Sequence, residues 1–152
     1  NACEDAIKKS NIEYQRNGTY VVMEGPQFST LAESNLYRSW KADVIGMTNM
    51  PEAKLAREAE IRYASVSMVT DFDCWHPDHD KVEVSDIIRV LTQNSSNAQS
   101  LIKELTSNIP KEREFCEYGC NTALDNAIIT PSQHRDKTLE TKLDAILKRV
   151  SS

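Results

Sequence analysis

Two acids that leave an apolar run mark the first place where this sequence could do chemistry. They lie in Thr70-Asp71-Phe72-Asp73-Cys74-Trp75, with one residue between them. On an extended backbone both carboxylates point to one face. Two carboxylates close together at the edge of a core push each other's pKa up, so one can hold a proton at neutral pH. Such an acid can protonate a leaving group. The same stretch also reads as a helix cap or a solvated turn. Two further segments carry suitable residues. In Glu24-Gly25-Pro26-Gln27-Phe28-Ser29-Thr30, Gly25 lets the backbone come close to a ligand, and Phe28 offers a flat apolar face. In Gly46-Met47-Thr48, a hydroxyl can donate to an anion, and Met47 can pack on a sugar. Taken alone, these two read first as turns, core side chains and helix caps.

Other chemistries fit less well. Asp71, Asp73, His76, His79 and Asp80 are metal-ligating types close in sequence. Yet His76 and His79 fall in a loop, not at i, i+4 on a helix, so no metal site is expected. Cys74 as a nucleophile has no positioned base beyond His76. The four cysteines, Cys3, Cys74, Cys116 and Cys120, match no zinc or redox spacing. Cys116 and Cys120 could pair across one helical turn with some strain. Free thiols in a reducing compartment are the favoured reading.

The elements around these segments follow from local pattern. Ala2, Ala6 and Ile7 suit a short helix. Asn17-Gly18 supplies a turn, so residues 12–24 read as a hairpin or two adjacent strands. Ser29 or Thr30 caps the next helix, with Glu33 placed for a capping box and Leu31, Leu36, Tyr37 and Trp40 as its apolar face. Residues 43–46 read as a short buried strand. Pro51 opens a helix that carries Ala53, Leu55, Ala56 and Ala59. Tyr63 to Val69 is apolar enough for a central strand, and 75–82 reads as a loop. Ser85 caps a long helix to about Ser107, bent near Asn94-Ser-Ser-Asn97, with Ile87, Ile88, Val90, Leu91, Ala98, Leu101, Ile102 and Leu105 on its buried side. Pro110 and Lys111-Glu112-Arg113-Glu114 follow as a linker. A short helix is predicted around Leu124 to Ile129, stopped by Pro131, and a last amphipathic helix around Leu139 to Leu147. Strands alternating with helices argue for the α/β class. The three chemical segments sit at strand ends, where open α/β sheets commonly carry ligands.

Bulk properties narrow the partners. With 152 residues, 39% hydrophobic and 27% charged, the chain suits one globular domain. Its net charge of −5 offers no broad basic surface, so neither nucleic acid nor anionic lipid is expected as a partner. No apolar run approaches the ~20 residues that span a bilayer. The start, NACEDAIKKSN, lacks the apolar core of a signal peptide and has no initiator Met, so a fragment of a longer product is expected.

In this order, EGPQFST, ADVIGMT and TDFDCW within residues 18–75 resemble the hallmark region of the nucleoside phosphorylases acting on purines. TDFD is most similar to the members that act on methylthioadenosine, since relatives acting on 6-oxopurines place an Asn in that region. The resemblance is close over residues 1–109 and looser over 110–152. It implies one domain over 1–152, a three-layer αβα fold with a mixed central sheet. That fold is incomplete here, because the family's N-terminal half has no counterpart. The missing half supplies a Gly-containing phosphate loop, an Arg-His pair and a further phosphate-binding Thr. Gln27 departs from the Arg or Ala that many members carry.

The implied reaction is phosphorolysis of S-methyl-5′-thioadenosine to adenine and 5-methylthioribose 1-phosphate. Inorganic phosphate is the co-substrate and no cofactor is needed. Residue by residue, Thr48 would bind phosphate and Met47 would line the ribose. Phe28 would pack on the base, with Asp71, Phe72 and Asp73 also in the substrate site and Asp71 as the catalytic acid at adenine N7. Ser29, Val84 and Ile87 would set substrate choice, with Ile87 near the methylthio group. A cytoplasmic homotrimer is implied for the full-length enzyme. The alternatives are a phosphorylase acting on adenosine or inosine, or an inactive fragment that only binds.

Overall fold

Apolar residues from both ends of one stretch of chain build the first core. The computed structural model describes residues 2–77, 84–112 and 115–150. The chain forms two compact units, Asn1–Thr48 with Ser65–Glu112, and Asn49–Ala64 with Arg113–Ser152.

In the first unit, helix α1 (Ala2–Lys9) packs on a long helix, α4 (Val84–Asn108). Ala6 and Ile7 of α1 and Leu101 of α4 are buried together, with Ile12, Met68 and Leu105 packed around them. Burying a side chain the size of Ile7 or Leu101 contributes about 1.5–3 kcal/mol. Lys9 Nζ donates to Asn108 Oδ1 at 2.9 Å and ties the ends of the pair. Helix α4 runs through Asn94 to Asn97 without a break. It starts at Val84, one residue before the expected cap, so Ser85 is helical and the cap position falls outside the described residues.

Strands β1 (Tyr20–Val22) and β2 (Val44–Gly46) form a two-stranded parallel sheet. Tyr20 faces Val44, Val21 faces Ile45 and Val22 faces Gly46. Parallel partners need a crossover, and helix α2 (Leu31–Ser39) provides it. The hairpin or pair of adjacent strands expected over 12–24 is therefore corrected to the single strand β1. Asn17 does turn, at φ 62°, but residues 12–16 fold back on α1 instead of pairing. Tyr14 Oη donates to Glu4 Oε1 at 2.9 Å, and Arg16 pairs with Glu4 at 3.4 Å.

Residues 63–69 are also corrected, because they carry no ladder. Met68 packs on the α1–α4 core, and the Val69 carbonyl accepts from Asn94 Nδ2 at 3.0 Å. That side-chain bond takes the place of a strand neighbour at Val69.

The second unit contains α3 (Met50–Glu58), with Pro51 in its first turn as expected. It also holds two 3₁₀ turns (Cys120–Thr122 and Ser132–His134) and the short helices α5 (Lys137–Lys142) and α6 (Asp144–Leu147). The single helix predicted over 139–147 is broken at Leu143. The helix predicted around 124–129 is a run of turns, because tertiary bonds claim its start. Buried Glu60 accepts from the Leu124 N–H at 3.0 Å and from Arg149 Nε at 2.6 Å. Arg149 also reaches Asp125 at 2.6 Å. These carboxylates hold the guanidinium well above its ordinary pKa, Glu60 first. All four cysteines are free thiols. Cys116 is held below its ordinary value, first by the Cys120 backbone N–H and then by the Cys120 thiol.

Local chemistry fixes the start of α2. Thr30 is the N-cap of a full capping box. Its N–H donates to Glu33 Oε2 at 2.7 Å, and its Oγ1 accepts from the Glu33 N–H at 3.3 Å. Thr30→Ala should destabilise the chain by roughly 0.5–2 kcal/mol, read as a lower urea midpoint. The Thr30 N–H, and then its hydroxyl, hold the Glu33 carboxyl below its ordinary value of 4.5. A depressed acid stabilises fully above its unfolded value and loses that contribution as pH falls through the folded value. The wild type should therefore lose stability below about pH 4.5 by this route, and Glu33→Gln should flatten that part of the acid limb. An unchanged acid limb in Glu33→Gln would contradict it.

Candidate active site

The register of β1 and β2 places two of the three chemical segments side by side. Val22 faces Gly46, and the Met23 N–H donates to the Gly46 carbonyl at 3.0 Å. The chain then leaves both strands at the same end. Residues 24–30 emerge from β1 and residues 47–48 from β2, as expected for ligand-bearing strand ends. Gly25 lies so close to Met47 that a Cβ there would stand 2.5 Å from Met47 Sδ. Ser29 Oγ donates to Met23 Sδ at 3.3 Å.

The third segment is held by α2. Ser34, one turn past the Thr30 cap, is 1% exposed, and its Oγ donates to Asp73 Oδ2 at 2.5 Å. Asp73 Oδ1 accepts the Cys74 N–H at 2.9 Å. Cys74 Sγ in turn faces the Ser29 carbonyl at 3.6 Å, which links the third segment to the first. One turn further along α2, the Arg38 guanidinium lies 3.8 Å from the Trp75 ring centroid, a cation–π contact. The Phe72 ring stacks on His76, with centroids 4.2 Å apart at 11°, and meets Trp75 edge-on at 6.2 Å.

The two acids therefore have different surroundings. The backbone bends at Asp71, so the extended path that would align both carboxylates is not kept. Asp71 is exposed, and its Oδ1 accepts from Thr70 Oγ1 at 2.5 Å. Asp73 is half-buried, with a donor on each oxygen. Phe28 is 85% exposed and Phe72 60% exposed. The constellation is thus an open aromatic ring, one exposed carboxylate, one anchored carboxylate and a thioether. Such a set suits a flat heterocycle whose edge carries N–H donors.

Ser29, Met47 and Asp73 are linked across segments by the contacts just given, whereas among the described residues no hydrogen bond or ring contact joins Phe28, Asp71 or Phe72 to another segment, and they stand beside the linked residues as their neighbours in sequence. Thr48 follows Met47 directly and is exposed. Val84 is 71% exposed and Ile87 half-buried on the first turn of α4. Among the described residues, no hydrogen bond or ring contact joins Thr48, Val84 or Ile87 to the other segments. His79 and Asp80 lie outside the described residues. Ser34 and Arg38 were missed from sequence. With Thr30 they form a polar i, i+4 stripe, Thr30-Ser34-Arg38, and that spacing was the available signal. The face expected to be buried instead leaves Leu31, Leu36 and Trp40 exposed.

Residues 1–107 match the model of the phosphorylase superfamily. The chain belongs to the phosphorylase superfamily. Relatives in it include a protein from Bradyrhizobium diazoefficiens named S-methyl-5′-thioadenosine phosphorylase, 59% identical over 145 residues, which are 95% of this chain and 50% of the relative. A protein of the same name from Rhodospirillum rubrum is 56% identical over 148 residues, 97% of this chain and 50% of its own length. A crystal structure of a methylthioadenosine phosphorylase from an antarctic soil metagenomic library aligns with TM-score 0.83 and 45% identity, over 96% of this chain and 51% of that one. A methylthioadenosine phosphorylase from Schistosoma mansoni in complex with tubercidin aligns with TM-score 0.64 and 27% identity, over 74% of this chain and 43% of that one. The chain thus spans about half the length of the curated relatives it matches. The expected α/β fold of the nucleoside phosphorylase type, present here in part, is borne out by these superfamily structures.

Two glycines carry the close approach of the strand ends. A Cβ at Gly46 would collide with the Tyr20 hydroxyl and stand 3.0 Å from Tyr20 Cζ, so a ring must move. A Cβ at Gly25 meets the flexible end of Met47. Gly46→Ala should destabilise by about 1–3 kcal/mol, and Gly25→Ala by clearly less. Urea unfolding of both variants checks this, and equal midpoints would contradict it.

Proposed function

We propose that this chain supplies the base- and 5′-recognising part of an S-methyl-5′-thioadenosine phosphorylase. One observation carries the reading. The EGPQFST, GMT and TDFDCW segments meet at one sheet end, tied by the Met23–Gly46, Ser29–Cys74 and Ser34–Asp73 bonds. They do so in a chain that is more than half identical to relatives bearing that name.

In the proposed reaction, inorganic phosphate attacks C1′ of the nucleoside and the bond to the adenine nitrogen breaks. Positive charge builds on the ribose and negative charge on the base. The protein gains most from groups that meet this charge only in the transition state. Phosphate held at Thr48 lies under the sugar, and Met47 lines the ribose. Phe28 packs on the base, and Asp71 serves the N7 position. Phe72 stiffens the loop between the acids through its stack on His76. Asp73 accepts from the exocyclic amino group. Ser29, Val84 and Ile87 border the region that selects the substrate, where a charge-free wall suits a thioether. A cytoplasmic homotrimer, working in purine and methionine salvage, belongs to the same proposal. No helix among the described residues is long and apolar enough to cross a membrane.

The test uses the protein expressed from its complete reading frame. It should release adenine only when phosphate is present, with kcat/KM higher for methylthioadenosine than for adenosine or inosine. Asp71→Ala should lower kcat and kcat/KM together, by about 10²–10⁴-fold. Asp71→Asn, which can still donate to N7, should fall at the low end of that range. Thr48→Val should raise the KM for phosphate and leave nucleoside binding nearly intact. Near-normal kcat in Asp71→Ala, or an unchanged phosphate KM in Thr48→Val, would remove those residues from their roles. Phosphate-independent adenine release would overturn the reaction itself.

A further inference from the structure

Ser34 is the buried residue of α2, and it spends its one hydroxyl proton on Asp73. It is 1% exposed and donates to Asp73 Oδ2 at 2.5 Å. Its position is not free to drift. The Thr30 capping box fixes the start of α2, and the Ser34 N–H donates to the Thr30 carbonyl at 2.9 Å. The other Asp73 oxygen accepts the Cys74 N–H at 2.9 Å. Both oxygens of Asp73 thus already accept from fixed donors, so what the side chain offers a ligand is further acceptor capacity.

We propose that Ser34 is a positioning residue for base selection: its hydroxyl holds the Asp73 carboxyl as an aimed acceptor, which favours a 6-aminopurine over a 6-oxopurine. The inference rests on the proposed placement of Asp73 at the exocyclic group. A 6-amino group brings N–H donors to that acceptor. A 6-oxo group brings an oxygen, and two acceptors facing each other leave both unpaired, the arrangement that costs most in a closed site. Without Ser34, the carboxyl keeps only the Cys74 N–H and can rotate about its terminal torsion, which is broad and soft. The base preference should then weaken while the phosphate side is untouched.

The experiment uses the complete enzyme and compares wild type, Ser34→Ala, Asp73→Ala and the double variant. Three quantities are read: the ratio of kcat/KM for adenosine over inosine, the ratio of Kd for adenine and hypoxanthine, and the KM for phosphate. Ser34→Ala should lower the amino-over-oxo preference by about ten-fold, the size of one lost hydrogen bond to a charged group, with the phosphate KM unchanged. In the Asp73→Ala background, removing Ser34 should change the preference no further, because coupled groups are not additive. Ser34→Cys, somewhat larger and a weaker donor, should shift the preference in the same direction and serves if Ser34→Ala folds poorly.

Equal slowing of both nucleosides would mean a purely structural role and would overturn the proposal, as would an unmoved ratio. A full extra loss in the double variant would also overturn it. If the wild type binds adenine without releasing it from nucleosides, the proposed reaction fails and the base-binding ratio still decides Ser34. If the wild type neither releases nor binds adenine, both proposals fall.

Discussion

Three rungs of parallel pairing decide where the first two candidate segments, 24–30 and 46–48, stand. Tyr20 with Val44, Val21 with Ile45 and Val22 with Gly46 set the register. A slip of one residue would send every side chain of a strand to the opposite face. It would also move Gly25 away from Met47 and break the bond from the Met23 N–H to the Gly46 carbonyl. The register is protected by contact at both ends. The Thr19 N–H donates to Asp43 Oδ2 at 2.6 Å before the strands, and only a glycine at position 46 leaves room for the Tyr20 ring.

Helix α2 then does two tasks with one set of residues. As the crossover it makes parallel pairing possible, since strands running the same way cannot be joined by a tight turn. As a rail it carries the third segment, with Ser34 under Asp73 and Arg38 over Trp75. Both tasks depend on where the helix begins, and Thr30 with Glu33 settles that locally. The site is thus assembled from a cap, a register and two side-chain bonds, not from a large enclosing core.

What was legible in the sequence was whatever short-range chemistry determines. The Thr30–Glu33 box, Pro51 at the start of α3, the strand at 44–46 and the long helix α4 all follow from residues within a turn of each other. The three motif segments were legible as well, and superfamily membership follows from them. Long-range partners were not. Residues 12–16 look like a strand, yet Tyr14 and Arg16 are drawn to Glu4. Residues 63–69 look like a central strand, yet they pack on α4 through Met68 and Asn94. The 124–129 stretch has helical spacing, but Glu60, 64 residues earlier, takes the Leu124 N–H. Apolar spacing on α2 pointed to Leu31 and Leu36 as the inner face, whereas the buried residue is a serine satisfied by an acid 39 residues away. Propensity cannot see such bonds, because their partners are distant in sequence.

In the proposed function the three segments form one base-binding site. The most direct measurement is a crystal structure of the complete enzyme with adenine and phosphate. The expected result places the purine ring against Phe28, N7 and the amino group within about 3.2 Å of Asp71 and Asp73 respectively, and the Ser34–Asp73 bond intact. Adenine bound elsewhere, or held with neither carboxylate in hydrogen-bond reach, would contradict it.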